Sequence, residues 1–260
     1  MRIVRQGALF CQAEVADLTV TALSDGYVDM PASDLTGVQD MAAVAVTDGK
    51  LRLAVHAFVV QGPAGTLLID TGAGTVWVPT MGRLPQAMDE AGIDPGKITQ
   101  IALTHVHTDH FGGLLGPAAA MMFANVTRIF VPVEELGIFR TRCGGSPMVD
   151  RVVPLEQGDG PLPGVMAVNA PGHTAGHMAF LVENRLLIWG DIVHVPGVQF
   201  AQPTAGWAHD ADGAMALQSR LRLMRRAADE GLMVAGAHLD FPALGRVQAD
   251  GAAYRYVPLA

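Results

Sequence analysis

Residues 104–110 read THVHTDH, and no other stretch constrains the fold of this chain as tightly. The heptapeptide places His105, His107, Asp109 and His110 within six residues. Imidazoles and carboxylates are the donors that hold zinc and similar borderline metals. Crowded together without a cation they would be costly, because ionisable groups taken out of water need partners. The run before them, ITQIALT, is apolar and β-branched as a strand is, and the run after them, FGGLLG, is glycine-rich and opens a turn. A strand ending here puts His105 and His107 on one side, since side chains alternate with period two. The bend that follows lets Asp109 and His110 face a second point nearby. The spacing therefore predicts two adjacent metal ions rather than one.

Two ions need more donors, and these belong at the ends of other strands. His173 lies in APGHTAGH after the strand-like VMAVNA, Asp191 closes LLIWGD, and His238 closes LMVAGAH. Of nine histidines, five (105, 107, 110, 173 and 238) end an apolar run in this way. A lone histidine is more often a satisfied core or loop residue; the recurrence is what carries the metal reading.

Five segments together resemble the metallo-β-lactamase superfamily: LLIDTG at 67–72, THVHTDHFGG at 104–113, APGHTAGH at 170–177, WGD at 189–191 and GAH at 236–238. Within it the chain looks most like the methyl parathion hydrolase group, with acyl-homoserine lactonases as near relatives. That closer likeness rests on VTALSDGYVDMP, PTMGRL at 79–84, GDIVHVPGVQF at 190–200, AHLDFPALGRV at 237–247 and YRYVP at 254–258. The resemblance implies an α/β fold, a four-layer αβ/βα sandwich with the site in the cleft between two sheets. It implies one domain over 1–260, with pseudo-halves of roughly 1–150 and 151–260. It makes His105, His107 and His173 the ligands of a first metal and Asp109, His110 and His238 those of a second, with Asp191 bridging both. Asp191 argues against a true β-lactamase, which generally lacks a bridging Asp there. Zinc is the default for both ions, with cobalt, manganese or iron as substitutes.

The resemblance also implies chemistry. Two ions about 3.5–4 Å apart can share a hydroxide and clamp an oxyanion. The substrate it points to is a small uncharged ester, a lactone or carboxylic ester first and an organophosphate triester second. Thioester hydrolysis is a weaker alternative, because the C-terminal tail lacks a Lys/Arg cluster for glutathione. An iron-dependent oxidoreductase and a non-catalytic metal-binding module are further alternatives. Asp109 and Asp191 count as catalytic as well as ligating. His194, three residues after Asp191, occupies a place where lactonases often carry a substrate-contacting Tyr, so it is a candidate hydrogen-bond donor or proton relay; the alternative is a pocket-wall histidine. Asp70 resembles the superfamily Asp that orients ligand histidines. His177 reads as structural. Trp77, Phe139, Phe200 and Trp207 fall in segments that form the substrate pocket of similar proteins. Such relatives are often homodimers.

Composition excludes some classes. The 260 residues carry a net charge of −8, from 17 basic and 25 acidic side chains. That disfavours nucleic acid, whose phosphates are held by Lys and Arg. No apolar run approaches the roughly 20 residues that cross a bilayer, which argues against a membrane partner, and MRIVRQGALFCQAEVADL has no signal-peptide pattern, so a cytoplasmic protein is expected. Cys11 and Cys143 are far apart and read as free thiols. Helices are predicted over 80–91, between Pro79 and Gly92, and over 212–229, where Leu217, Leu221, Met224 and Ala228 form an apolar stripe and Arg220, Arg222, Arg225 and Arg226 a solvated face. Residues 28–54 and 140–164 read as the longest loops.

Overall fold

The computed structural model describes residues 1–42, 44–115, 117–144 and 146–259. An eight-stranded sheet takes β1 (Arg2–Gln6), β2 (Phe10–Val15), β3 (Leu18–Pro31), β5 (Lys50–Gly62), β6 (Gly65–Ile69), β7 (Gln100–Ala102), β8 (Arg128–Pro132) and β9 (Val152–Leu155), in that order across the sheet. The short β4 (Leu35–Thr36) stands apart from it. A six-stranded sheet takes β10 (Val165–Asn169), β11 (Met178–Val182), β12 (Leu186–Ile188), β14 (Met233–Ala235), β15 (Leu244–Asp250) and β16 (Ala253–Pro258). β13 (Gly206–Trp207) pairs with β4 alone.

Alternation along the strands explains the layers. Phe58, Val60, Leu67 and Ile69 point into a core shared with Ala167, Leu181 and Ile188 of the second sheet. Their neighbours Ala57, Val59 and Leu68 face the other way, onto Leu84, Ala87 and Met88. Those three belong to α1 (Leu84–Ala91). Two faces of one sheet are thus both buried, one against a sheet and one against helices. β6, β7, β8 and β9 run parallel. Parallel neighbours need crossovers, and these hold α1, α2 (Thr108–Phe111), α3 (Pro117–Met122) and α4 (Leu136–Arg142). Beyond α5 (Pro196–Gln199), α6 (Gly213–Asp229) covers the second sheet through Leu223, Met224 and Ala227. The result is the four-layer αβ/βα arrangement.

Both predicted helices form with adjusted limits. α1 starts at Leu84 and stops at Gly92, whose φ of 71° suits glycine at a helix C-terminus. α6 is capped by Asp212, whose carboxylate accepts from Met215 N. Its buried face is Ala216, Ser219, Arg220, Leu223, Met224 and Ala227. Leu217, Leu221 and Ala228 of the expected stripe lie half-buried at its edge. Arg220 therefore is not on a solvated face, and the reason is chemical: backbone carbonyls beneath the helix need its donors. The expected loop 28–54 is mostly the long arm of β3 and β5, paired out to Pro31–Lys50, leaving an excursion over residues 37–49. The segment 140–164 contains the end of α4, a 3-10 turn and β9, so β9 joins the first sheet although it lies past residue 150. No helix among the described residues is long and apolar enough to cross a membrane.

Candidate metal centre

β7 is followed at once by the THVHTDH turn, on the edge of the cleft that the second sheet faces. Asp70, just past β6, sits at φ 59°, a left-handed conformation that Asp tolerates better than most residues. From there its carboxylate accepts from Thr104 N and Thr104 Oγ1, each at 2.8 Å, and meets His110 Nδ1 at 2.8 Å. Three groups of the turn thus hang on one carboxylate. Gly113 lets the turn close, since a Cβ there would strike the Thr71 carbonyl. Arg142, at the end of α4, donates to Val106 O and Thr108 Oγ1 and lies 4.5 Å from the centre of the Phe111 ring.

The second sheet brings the remaining donors. Gly190 has φ 55°, and a Cβ there would collide with His177 Nε2. That nitrogen accepts from Asp191 N, while His177 Nδ1 donates to Ala170 O at 2.9 Å. His177 is a brace for the chain at Asp191. His238 Nδ1 donates to Ala54 O at 2.7 Å, which leaves Nε2 facing the cleft. His173 Nδ1 meets Asp210 Oδ1 at 2.8 Å, which likewise presents Nε2. Asp210 carried no sequence signal: only its place next to His173 in space reveals it.

The donors gather into clusters. His105, His107 and His173 have ligand atoms within 4.8 Å of one another, and so have Asp109, His110, Asp191 and His238. His194 groups only with His173 and Asp191. His105 Nε2 and His107 Nδ1 are 3.0 Å apart, and His107 Nδ1 and His173 Nε2 are 2.9 Å apart. Nitrogens on one tetrahedral zinc stand about 3.3 Å apart, given Zn–N bonds near 2.05 Å. Asp191 reaches both clusters, with Oδ1 3.1 Å from His110 Nε2 and Oδ2 3.2 Å from His173 Nε2 and 3.1 Å from His238 Nε2. His110 Nε2 and Asp191 Oδ1 are buried without an aligned hydrogen bond to any group. Converging lone pairs and orphaned buried atoms are what a pair of cations would satisfy. The donor set fits a dinuclear metal site.

The electrostatics agree. Burial drives His105 well below its ordinary range and His107 down to about 4, reinforced by neighbouring imidazoles, so both present lone pairs at neutral pH. Burial also acts against the charged form of His173, yet Asp191 and Asp210 outweigh it and lift the ring to about 9. His110 is raised well above its usual value, against burial, by Asp191, Asp109 and Asp70. Asp109 falls to about 2 against burial, mainly through the charge on His110. Asp70, Asp109, Asp191 and Asp210 thus surround His110 and His173 with negative charge, the electrostatic setting that favours a cation.

Above the donors lies a cavity of about 200 Å³, lined by Val28, Met30, Leu53, Trp77, Trp207 and His194 beside the cluster residues. Trp77 and Trp207, expected at a pocket, line this cavity. Phe139 and Phe200 do not. Phe139 is fully buried in α4 against Phe111, and Phe200 packs between Trp189 and Tyr256 in the core. Both rings support pocket segments from behind instead of facing the cavity. Asp25 is a second residue that sequence reading missed. Its buried carboxylate accepts from Ala73 N, Gly82 N and Leu84 N, which pins the loop carrying Trp77. Burial pushes that carboxyl up to about 6 despite these bonds.

A sequence pattern of the metallo-beta-lactamase superfamily matches residues 51–238. The chain belongs to the metallo-beta-lactamase superfamily. Among solved structures it superposes on the superfamily hydrolase AbOPH with a TM-score of 0.87 at 25% identity, covering 98% of this chain and 99% of that one. It also superposes on AidC, a dizinc quorum-quenching lactonase in complex with a product, with a TM-score of 0.84 at 21% identity, covering 96% and 97%. At that identity the likeness to AidC shows the fold. An atrochrysone carboxyl ACP thioesterase, nsrC of Aspergillus novofumigatus, is 30% identical over 162 residues, covering 61% of this chain and 45% of its own. A hydroxyacylglutathione hydrolase of Stenotrophomonas maltophilia is 35% identical over 120 residues, covering 46% and 42%. The chain spans about half the length of the curated superfamily members it matches.

Proposed function

We propose that this protein is a metal-dependent hydrolase of small uncharged esters, with lactones and carboxylic esters as its substrate class. One observation carries the reading. The two donor clusters open into the floor of an aromatic pocket whose lining, among the described residues, holds no lysine or arginine. Such a pocket suits an apolar acyl chain and brings no lysine or arginine side chain to an anionic group on the substrate.

His105, His107 and His173 would hold one ion, Asp109, His110 and His238 the other, and Asp191 both, with zinc as the assigned metal. Bound there, the ions would supply Lewis acidity toward the substrate oxygen and toward an attacking water. The chain's own groups do the rest. Asp191 fixes the separation of the clusters. Asp70 and Asp210 hold His110 and His173 by Nδ1, so each keeps Nε2 toward the cleft. His194 lines the cavity with its Nε2 3.4 Å from Asp191 Oδ2 and its Nδ1 without a hydrogen-bond partner, and burial takes its pKa down to about 3 against the pull of Asp191. A neutral imidazole keeps one N–H, and carried on Nδ1 it would have no acceptor within the chain and could donate to a substrate oxygen. Trp207 stacks on the His194 ring at 5.0 Å and 14°, fixing its plane. Trp77, 43% exposed at the rim, is placed to cover an acyl chain.

A second reading, thioester hydrolysis, is favoured by the likeness to the ACP thioesterase and the hydroxyacylglutathione hydrolase; attack at the carbonyl would use the same residues. The test compares kcat/KM for an acyl-homoserine lactone, a dimethyl aryl phosphotriester and a short acyl thioester on one zinc-loaded preparation. Asp191→Asn serves as the control. Lactone turnover at least tenfold above the others, abolished in the control, is the expected outcome. Preference for the thioester or the phosphotriester would replace the assigned substrate class, and equal activity in the control would sink the metal reading.

A further inference from the structure

Residues 191–210 carry Asp191, His194, Trp207 and Asp210, yet they hold little regular structure beyond α5 and β13. Backbone groups in such a segment cannot be satisfied by a sheet ladder, and buried ones need partners. Two buried side chains provide them. Gln199 Oε1 accepts from His194 N at 2.7 Å and Val195 N at 3.0 Å, while its amide donates to Ala205 O. Arg220, 1% exposed on the inner face of α6, does more. Its Nε donates to Ile192 O at 2.8 Å, and its Nη1 donates to Pro203 O at 3.1 Å and Ala205 O at 2.7 Å. Its Nη2 lies 3.8 Å from Asp210 Oδ2. Asp210 in turn accepts from Trp207 N and holds His173 Nδ1.

We propose that Arg220 is a positioning residue for the three-histidine cluster. It acts through Asp210 on His173, and through the carbonyls of Ile192, Pro203 and Ala205 on the wall that bears Asp191 and Trp207. A buried guanidinium is desolvated at considerable cost, and hydrophobic residues would cover the sheet as well at this position. Its fork is matched instead to a carbonyl at Ile192, two in the turn of Pro203 and Ala205, and a carboxylate, a geometry that a lysine's single ammonium cannot reproduce. Removing Arg220 frees both ends of the segment and takes away the guanidinium that stands 3.8 Å behind Asp210. His173 then loses its fixed orientation.

The inference rests on the metal reading, and the experiment separates the two. Zinc affinity is measured by chelator competition, and cobalt spectra report each site, for wild type, Arg220→Met, Arg220→Lys, Asp210→Asn and the Arg220→Met/Asp210→Asn double variant. Losing a residue that orients a ligand histidine costs about 10- to 100-fold in metal affinity. Asp210→Asn should weaken the three-histidine site in that range and leave the other close to wild type, and Arg220→Met should weaken the three-histidine site at least as much. The double variant should be no weaker than the worse single, because both act on one ring. Arg220→Lys keeps the charge and should recover part of the affinity. Should Arg220→Met fail to fold, Arg220→Lys carries the same cycle. A variant that melts earlier when metal-free but binds zinc as wild type does would make Arg220 a structural residue only. Effects that multiply in the double variant would separate Arg220 from His173. Wild-type protein that takes up no metal would sink the metal reading, and this inference with it.

Discussion

The two walls of the pocket are held by different means. The wall made by residues 104–113 hangs from elements of its own sheet: Asp70 takes three of its groups, Arg142 two more, and Phe111 packs on Phe139. The wall made by residues 191–210 depends on Gln199 within it and Arg220 on α6. It is also stitched to the arm of the first sheet. β13 pairs with β4, and Gln202 accepts from Gln39 N and Asp40 N. One wall takes its geometry from a contiguous motif, the other from buried polar side chains that meet it in the folded chain. The difference predicts where substitutions will act locally and where they will spread.

Asp191 is the seam of the two walls and should show the largest effect. Asp191→Asn keeps the shape and removes the charge that both clusters share. Loss of several kcal/mol of transition-state stabilisation corresponds to a fall in kcat/KM of about a thousandfold or more, with uptake reduced below two ions per chain by elemental analysis. A variant retaining two ions would show that the walls approach each other without Asp191.

Acidity tests the walls next. His173 has its folded, metal-free pKa raised from 6.5 to about 9, so at pH 7 it carries a proton. Metal needs the lone pair, and binding must expel that proton. Apparent zinc affinity at the three-histidine cluster should climb about tenfold per pH unit from 7 toward 9 and then flatten. His107, lowered to about 4, adds no slope in this range. The sign for stability is opposite. The contribution of protonated His173 to the metal-free fold is complete below 6.5 and lost as pH rises through about 9, so metal-free Tm should fall over that window while metal uptake strengthens. Calorimetry in buffers of different ionisation enthalpy counts the protons, and a pH-independent affinity would exclude a charged His173.

Asp70→Asn probes the first wall alone. It retains the volume but loses the carboxylate that meets Thr104 Oγ1 and His110 Nδ1. Zinc should bind about 10- to 100-fold more weakly at the cluster containing His110, with the three-histidine cluster little changed in its cobalt spectrum. Equal weakening at both clusters would mean that this wall, too, transmits strain across the cleft.

The sequence made the first wall legible because its information is local. A strand followed by a turn put four donors together with no knowledge of the rest of the chain, although β7 ends at Ala102 and His105 and His107 stand in the turn itself and not on the strand. Strand ends likewise exposed His173, Asp191 and His238, and the motifs as a set identified the sandwich. What stayed hidden depends on tertiary meeting. Asp25 is one letter of VTALSDGYVDMP, with nothing to set it apart until Ala73, Gly82 and Leu84 converge on it. Asp210 lies 37 residues from the histidine it orients. Arg220 sits among three other arginines, and only the carbonyls under α6 distinguish it. Phe139 and Phe200 were misplaced for the same reason: an aromatic beside a motif can face the cavity or back the wall, and periodicity in short segments does not decide which.

The smallest effect sharpens the contrast best, because it places one residue type on both walls. Arg142 on the first wall is exposed, donates to Val106 O and Thr108 Oγ1, and lies over Phe111. Water can replace its bonds, and exposed cation–π contacts contribute about 0.5–1 kcal/mol. Arg142→Ala should therefore lower Tm by roughly 2–4 °C and leave zinc affinity within about threefold of wild type, since Asp70 still holds the turn. Arg220→Met on the second wall should move both. If Arg142→Ala instead weakens zinc as strongly as Arg220→Met does, the motif loop is no more self-supporting than the irregular segment, and the distinction between the walls fails.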